Sequence, residues 1–221
     1  DVVTYEFENV PVDTVRFLSG HVAVRPGGAG LEIAQDRLTE KNFVAGLGGR
    51  PAPFAAVLDR AALDTALEQI GAPAIHKTVR MGYDGKGQAR LATAADADTA
   101  WDAIGRHAAV LEGFVTFDHE FSVLLVRGID GEVRFWDSPV NVHDGGILAT
   151  STLPPPQAVL DQQDEARALM AKIAETLDYV GVLTGEFFAT ADGPVFNEMA
   201  PRVHNSGHWT IEGAVVSQFE N

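Results

Sequence analysis

Two short strand-like runs, Gly185-Glu186-Phe187-Phe188 and Val195-Phe196-Asn197-Glu198, flank a turn at Asp192-Gly193. Asp-Gly between β-prone runs signals a hairpin, with Gly193 able to supply the left-handed residue of a three-residue loop. A hairpin centred on Asp192 sets Glu186 opposite Glu198 and Phe188 opposite Phe196 on the same face. Directly opposed side chains have Cβ atoms about 4.5–5.5 Å apart, where like charges repel. Two phenylalanines beside them make the face half-buried and raise the cost of two bare carboxylates. A hard divalent cation resolves that conflict, because magnesium takes oxygen ligands from one or two carboxylates plus substrate phosphates. Without the cation, Glu198→Gln is then expected to be neutral or slightly stabilising. Asn197 points to the other face of a regular strand and needs a bulge to join the pair. The alternative is a hairpin with two solvated glutamates, and a register slip of one residue separates them.

A second cluster is Gly82-Tyr83-Asp84-Gly85-Lys86-Gly87-Gln88, which follows an extended run at 74–79 carrying Lys77. Closely spaced glycines let backbone N–H groups approach phosphate oxygens, and a lysine adds a point charge. The spacing is neither that of a Walker motif nor that of a dinucleotide fingerprint. Taken alone, a glycine-rich turn and a surface strand lysine describe these residues better.

Helical and extended segments interleave around both clusters. Asp59 is placed to cap a helix with Leu63, Ala66, Leu67 and Ile70 on one face, stopped by Gly71. Thr93 to Asp96 reads as a capping box for a short helix carrying Trp101 and Ile104. Two β-rich runs at 121–127 and 132–136 flank Asp130-Gly131, a hairpin turn. From Asp161, residues Ala166, Leu169, Met170, Ile173 and Leu177 recur at helical spacing, with Gly181 beyond the end. Hairpins with helices packed on them give an α+β class.

Composition narrows the function further. The 221 residues carry a formal net charge of −15, which opposes a general nucleic-acid binder but not small phosphate ligands held locally. Cysteine is absent, which removes disulfides and thiolate-bound zinc and suits a cytoplasmic protein. No apolar run approaches a membrane span, and no signal-peptide pattern opens the chain. Val2-Val3-Thr4-Tyr5 reads as a strand already inside a domain, as a fragment would begin.

Asp36-Arg37 with Lys41, Lys77, the loop at 82–88, Glu112-Gly113-Phe114-Val115, Glu120, Glu186 and Asn197-Glu198 stand in the order of ATP-grasp proteins, which the chain resembles over essentially its whole length. The runs Tyr5-Glu6-Phe7-Glu8-Asn9-Val10-Pro11 and Ala200-Pro201-Arg202-Val203-His204-Asn205-Ser206-Gly207-His208-Trp209-Thr210 narrow this to a resemblance to the 5-(carboxyamino)imidazole ribonucleotide synthetases. The resemblance implies an ATP-grasp fold whose two α+β lobes enclose ATP. Residues 36–221 would form that domain, 72–111 its smaller lobe, 112–221 its central lobe with the metal site, and 1–35 the remnant of a preceding α/β domain.

In that reading Lys77 and Gly82, Tyr83, Asp84, Gly85, Lys86, Gly87 and Gln88 hold the nucleotide phosphates. Glu112, Gly113, Phe114 and Val115 form the hinge whose backbone reads adenine, and Glu120 accepts from the ribose hydroxyls. Arg37, His143, Phe196 and Asn197 also match nucleotide positions, while Glu186 and Glu198 match the ligands of magnesium, with manganese as a substitute. Arg202, His204, Asn205 and Ser206 would face bicarbonate and the imidazole substrate, with Tyr83 and Asp84 nearby, and His208 and Trp209 would pack. The implied activity is ATP-dependent carboxylation of 5-aminoimidazole ribonucleotide with bicarbonate, in a cytoplasmic homodimer. Another ATP-grasp carboxylase, a formate-using purine enzyme and a nucleotide-binding fragment without turnover are the alternatives. Two departures stand out. Val79 and Met81 replace the family's usual arginine and glycine, and the family's N-terminal glycine-rich segment and C-terminal domain lie outside these residues.

Overall fold

The structure, a computed structural model, describes residues 1–82 and 86–220. It opens with a parallel pair, β1 (Val2–Val3) and β2 (Ala23–Val24), joined through helix α1 (Val12–Ser19). Val15, Val24 and Leu31 make a small core there. Helix α2 (Gly28–Ala34) leads into α3 (Arg37–Gly46). Asp36 caps α3 by accepting from the Thr39 N–H at 3.0 Å, which sets Arg37 in its first turn.

The smaller sheet is antiparallel throughout, in the order β3 (Phe54–Val57), β6 (Ala109–Gly113), β4 (Ala74–Thr78), β5 (Gln88–Leu91). Helix α4 (Arg60–Ile70) follows β3, with the Asp59 carboxylate accepting from the Ala62 N–H at 2.8 Å. Gly71 ends it at φ +86°, a left-handed position where a side chain is strained. Thr93 and Asp96 form the expected capping box around a single 3₁₀ turn, Ala94–Asp96, before α5 (Ala97–Ala103). The apolar faces of α4 and α5 meet the sheet over Val57, Leu63, Leu91 and Leu111. This sheet begins at Phe54, so it takes in a strand and a helix ahead of the 72–111 span expected for the smaller lobe.

The larger sheet is ordered β10-β9-β7-β11-β12, with β8 added beside β7. Its strands are β7 (His119–Arg127), β8 (Val133–Phe135), β9 (Val140–Asp144), β10 (Ile147–Thr152), β11 (Gly181–Thr190) and β12 (Gly193–Ala200). Helix α6 (Gln157–Thr176) covers one face through Ala166, Met170 and Ile173. It starts directly after the triple proline, ahead of Asp161, because Pro156 is pre-set for the cap position. Gly181 does not merely follow this helix but opens β11. A 3₁₀ turn (Asn205–Gly207) and α7 (Thr210–Gly213) close the described chain.

The β11–β12 hairpin departs from the expected register in an instructive way. Thr190 pairs with Gly193, so the turn is one residue tighter than expected, with Gly193 at φ +102°. Phe187 therefore opposes Phe196, and Phe188 opposes Val195 rather than Phe196. A bulge at Asn197 then shifts the register, and Glu186 pairs directly with Glu198. The extra residue leaves Asn197 and Glu198 on the cleft side together, while Phe187 and Phe196 face the core.

Candidate active site

The site is a cleft of about 430 Å³. Its floor comes from β11 and β12, one wall from β4 and the start of β5, and the opposite rim from α3 and the chain after β12. Glu186 and Glu198 face each other on the floor, with side chains 12% and 41% exposed. Arg37 Nη1 donates to Glu198 Oε2 at 2.7 Å. Burial alone pushes the Glu198 carboxyl up, but the charges of Arg37 and Lys77 outweigh it and hold the group down at about 2. Glu186 goes the other way, to about 7, through burial and the neighbouring Glu198 charge, although the Asn197 amide donates to it. The pair thus opens onto the cleft with Glu198 ionised against Arg37 and Glu186 poised to give up its proton to a cation. Two carboxylates supported by a side-chain amide fit a hard cation that takes its remaining oxygens from a phosphate. Among the described residues no cluster of three or more His, Cys, Asp or Glu forms a fuller metal cage.

On the β4 wall, Lys77 Nζ donates to Glu112 Oε2 at 3.0 Å, and Lys41 Nζ lies 3.1 Å from Glu112 Oε1. Glu112 is thereby the centre of a buried ionic cluster. Burial raises its carboxyl, but Lys77 and Lys41 win and hold it below the usual carboxylate range. The expected hinge residues 112–115 leave β6 behind this wall and do not line the cleft. The Gly113 N–H donates to Pro53 O at 2.8 Å and the Phe114 N–H to Pro73 O at 3.1 Å. Val115 follows them, half-buried.

The glycine loop borders the same wall. Gly82, Lys86, Gly87 and Gln88 line the cleft, whereas Tyr83, Asp84 and Gly85 lie outside the described residues. The Thr78 N–H donates to Gly87 O at 2.7 Å, closing the loop. A Cβ on Gly87, at φ +69°, would sit 2.5 Å from Thr78 Oγ1, so only glycine fits there. Met81 has φ +62° and is 66% exposed. A left-handed non-glycine residue stores about 1 kcal/mol or more, offset in part by glycine's greater entropy loss on folding, about 0.5–1 kcal/mol. Met81→Gly is therefore expected to leave thermal stability unchanged or slightly higher while tightening nucleotide binding at the loop. Calorimetric titration with ADP checks this, and weaker binding would show that Met81 contributes contacts rather than strain.

At the cleft's far side Glu120 and His143 form a close pair. The Glu120 hydrogen bond is the first cause raising the His143 ring above its ordinary value. On the opposite rim, Arg202 Nε donates to Glu8, which the sequence did not single out as a site residue. His204 Nε2 lies 3.5 Å from Glu186 Oε1, and its Nδ1 is 2.8 Å from Ser206 Oγ. Burial, followed by the Arg202 charge, pushes the His204 ring down to about 4, so it is neutral near pH 7. Arg202, His204 and Asn205 line the cleft.

Besides the hinge residues, two more expected site residues lie elsewhere. Ser206 is fully buried behind His204, and Phe196 belongs to the core, edge-on to Phe187 at 5.6 Å. The tight turn is what points Phe196 inward. His208 packs on Phe219 and Trp209 over Gly213, as expected. Glu40 is the other residue that sequence reasoning missed. It lines the cleft from α3, three positions after Arg37 and so on the same helical face.

These features agree with what the chain is similar to. It is 49% identical to the N5-carboxyaminoimidazole ribonucleotide synthase of Pseudomonas aeruginosa, over all of this chain and 61% of that protein. The crystal structure of N5-carboxyaminoimidazole ribonucleotide synthetase from Thermus thermophilus superposes with a TM-score of 0.93 at 50% identity, covering 100% of this chain and 59% of that one. A synthase from Aspergillus clavatus, solved in complex with ADP and 5-aminoimidazole ribonucleotide, gives a TM-score of 0.88 at 26% identity, again over 100% of this chain and 58% of that one. The chain thus spans about three fifths of the relatives it matches. The sequence pattern of the ATP-grasp domain matches residues 42–219. With two α+β lobes meeting over a cleft that holds a glycine loop, a strand lysine and an opposed carboxylate pair, this chain belongs to the ATP-grasp family.

Proposed function

We propose that the chain is the ATP-binding and catalytic core of an N5-carboxyaminoimidazole ribonucleotide synthase, which carboxylates 5-aminoimidazole ribonucleotide with ATP and bicarbonate. The observation that carries this reading is that one cleft joins a phosphate-holding wall to an oxyanion-facing rim, with Glu186 and Glu198 between them. The names of the Pseudomonas and Thermus relatives, and the ligands of the Aspergillus one, support it.

In this reading Lys77, Arg37 and the loop at 82–88 hold the phosphates and Glu120 accepts from the ribose. Glu186, Asn197 and Glu198 would hold magnesium (or manganese), which would supply positive charge to offset that of the phosphates. A bicarbonate oxygen takes the γ-phosphoryl group and ADP departs. The exocyclic amine then attacks the carboxyl carbon of the resulting carboxyphosphate, the carbon–oxygen bond to phosphate breaks, and the amine loses a proton. Arg202 can pair with the small oxyanion through a planar fork of donors once it turns from Glu8. His204, neutral near pH 7 and accepting the Ser206 N–H at Nδ1, can donate a hydrogen bond from Nε2 beside it. Residues 1–35 end a preceding domain and 36–221 form the ATP-grasp domain. The reading also includes a cytoplasmic homodimer; no helix of the described residues is long and apolar enough to cross a membrane.

ADP release with and without bicarbonate and 5-aminoimidazole ribonucleotide is the test, together with mass spectrometry of product made from isotope-labelled bicarbonate. Label in the product is expected. ADP release triggered by formate, or ATP binding with no turnover, would overturn the proposal in favour of a formate-using enzyme or a binding module.

A further inference from the structure

Arg37, Glu40 and Lys41 stand at i, i+3 and i+4 of α3 and so share one face of the helix. That face is laid against three consecutive residues of β12. Arg37 donates to the Glu198 carboxylate at 2.7 Å. Glu40 Oε1 accepts from the Met199 N–H at 2.7 Å, and Lys41 Nζ donates to Asn197 O at 3.2 Å. The two backbone groups that flank Glu198 are therefore each held by a buried polar side chain.

Three facts argue that this arrangement does more than fill space. First, β12 is an edge strand, whose outward backbone groups would ordinarily meet water. Here they meet Glu40 and Lys41, which are 2% and 1% exposed. Second, burying ionisable side chains is costly, and burial pushes the Glu40 carboxyl up to about 8, so apolar residues would serve stability at least as well. Third, the bulge at Asn197 interrupts the ladder to β11 just where Glu198 must be aimed. Lys41 also pairs with Glu112, which Lys77 meets from the other side. Lys41 thus ties the carboxylate strand to the lobe that carries the glycine loop.

We infer that Glu40 and Lys41 are positioning residues that clamp the backbone on both sides of Glu198, setting its carboxylate against the nucleotide lobe so that cation and nucleotide bind as one unit. This rests on the reading of Glu186 and Glu198 as the metal carboxylates. Removing hydrogen-bond partners that orient a metal ligand typically costs 10–100-fold in metal affinity. Magnesium titrations of the ADP-bound protein, read by calorimetry, are therefore expected to show half-saturation raised about tenfold in Glu40→Met and Lys41→Met. ADP affinity in chelator should stay within about twofold of the parent, a separation that general loosening would not produce. Glu40→Gln keeps an acceptor oxygen for the Met199 N–H and should bind magnesium like the parent.

Parent-like magnesium half-saturation in folded Glu40→Met and Lys41→Met overturns the clamp, provided Glu198→Gln raises it. Parent-like behaviour of Glu198→Gln instead overturns the metal reading itself. A measurement on the unmodified protein stands apart from any folding defect: the Met199 amide, despite its place on a sheet edge, should exchange its hydrogen slowly. Fast exchange there would also overturn the clamp.

Discussion

Glu198→Gln is expected to weaken magnesium-dependent ATP binding by one to two decades and to abolish magnesium-dependent turnover. A charge-assisted contact is worth about 1.5–3 kcal/mol, and about 1.4 kcal/mol is a decade in affinity. The Arg37 bond changes what the substitution does to the metal-free protein. Carboxylate repulsion alone made the change look neutral or stabilising. Glu198, however, is the partner of Arg37 at 2.7 Å and is held ionised by it and by Lys77. Glutamine leaves the guanidinium without its counter-charge, so the metal-free protein should lose stability. Glu186→Gln is the contrasting case. That carboxyl is pushed up to about 7 by burial and by Glu198, so its neutral isostere should be tolerated or slightly stabilising without metal. Thermal melts of both variants, with and without magnesium and ATP, decide the matter. Equal magnesium-linked stabilisation in Glu198→Gln and the parent would remove Glu198 from the metal site.

Glu112→Gln should produce the largest loss of fold stability. One carboxylate neutralises both Lys41 and Lys77 in a place where its own side chain is 5% exposed. Removing the partner of a buried ion costs about 3–5 kcal/mol, and in a chain of this size each kcal/mol moves the melting temperature by about 2–4 °C. The pH dependence follows from the direction of the shift. The folded carboxyl is held below its unfolded value of about 4.3. Its contribution is complete above that value and is lost as pH falls below it toward and through the lower folded value. The parent should therefore lose stability more steeply than Glu112→Gln in that acidic range. Melts at neutral and acidic pH measure both effects. A loss under about 1 kcal/mol, the size of an ordinary substitution, would mean that the lysines find other partners.

What could be read from the sequence was local or periodic. The Asp59 cap and the Thr93–Asp96 box depend on neighbours a turn away, and both formed as expected. The Glu186–Glu198 opposition also formed, though by compensation. The turn is a residue tighter than expected and the Asn197 bulge restores the register, which is why the phenylalanine pairing came out differently. A bulge has no two-residue periodicity, so alternation could suggest Asn197 only as a possibility to be met. The family order anticipated the α+β fold and most of the cleft. Phe54 to Val57 carries no strand signal in the sequence, because four residues hold too little alternation to mark one. The partners of Glu40 and Arg202 could not be read at all. Met199 lies 159 residues from Glu40, and Glu8 lies 194 from Arg202, and no local rule spans such distances.

The reach of α3 bears on how the protein is made. Arg37 and Glu198 are 161 residues apart, and nearly the whole of both sheets lies between them in the chain. During synthesis α3 emerges early, its charged face turned toward a strand that does not yet exist, while the smaller lobe can close on local contacts. Until β12 arrives, the Glu40 and Lys41 side chains stay solvated, and the loop entropy of joining the ends is still to be met. The nucleotide cleft is therefore completed only once β12 has emerged, and a nascent chain gains the ability to hold ligand only as that strand docks.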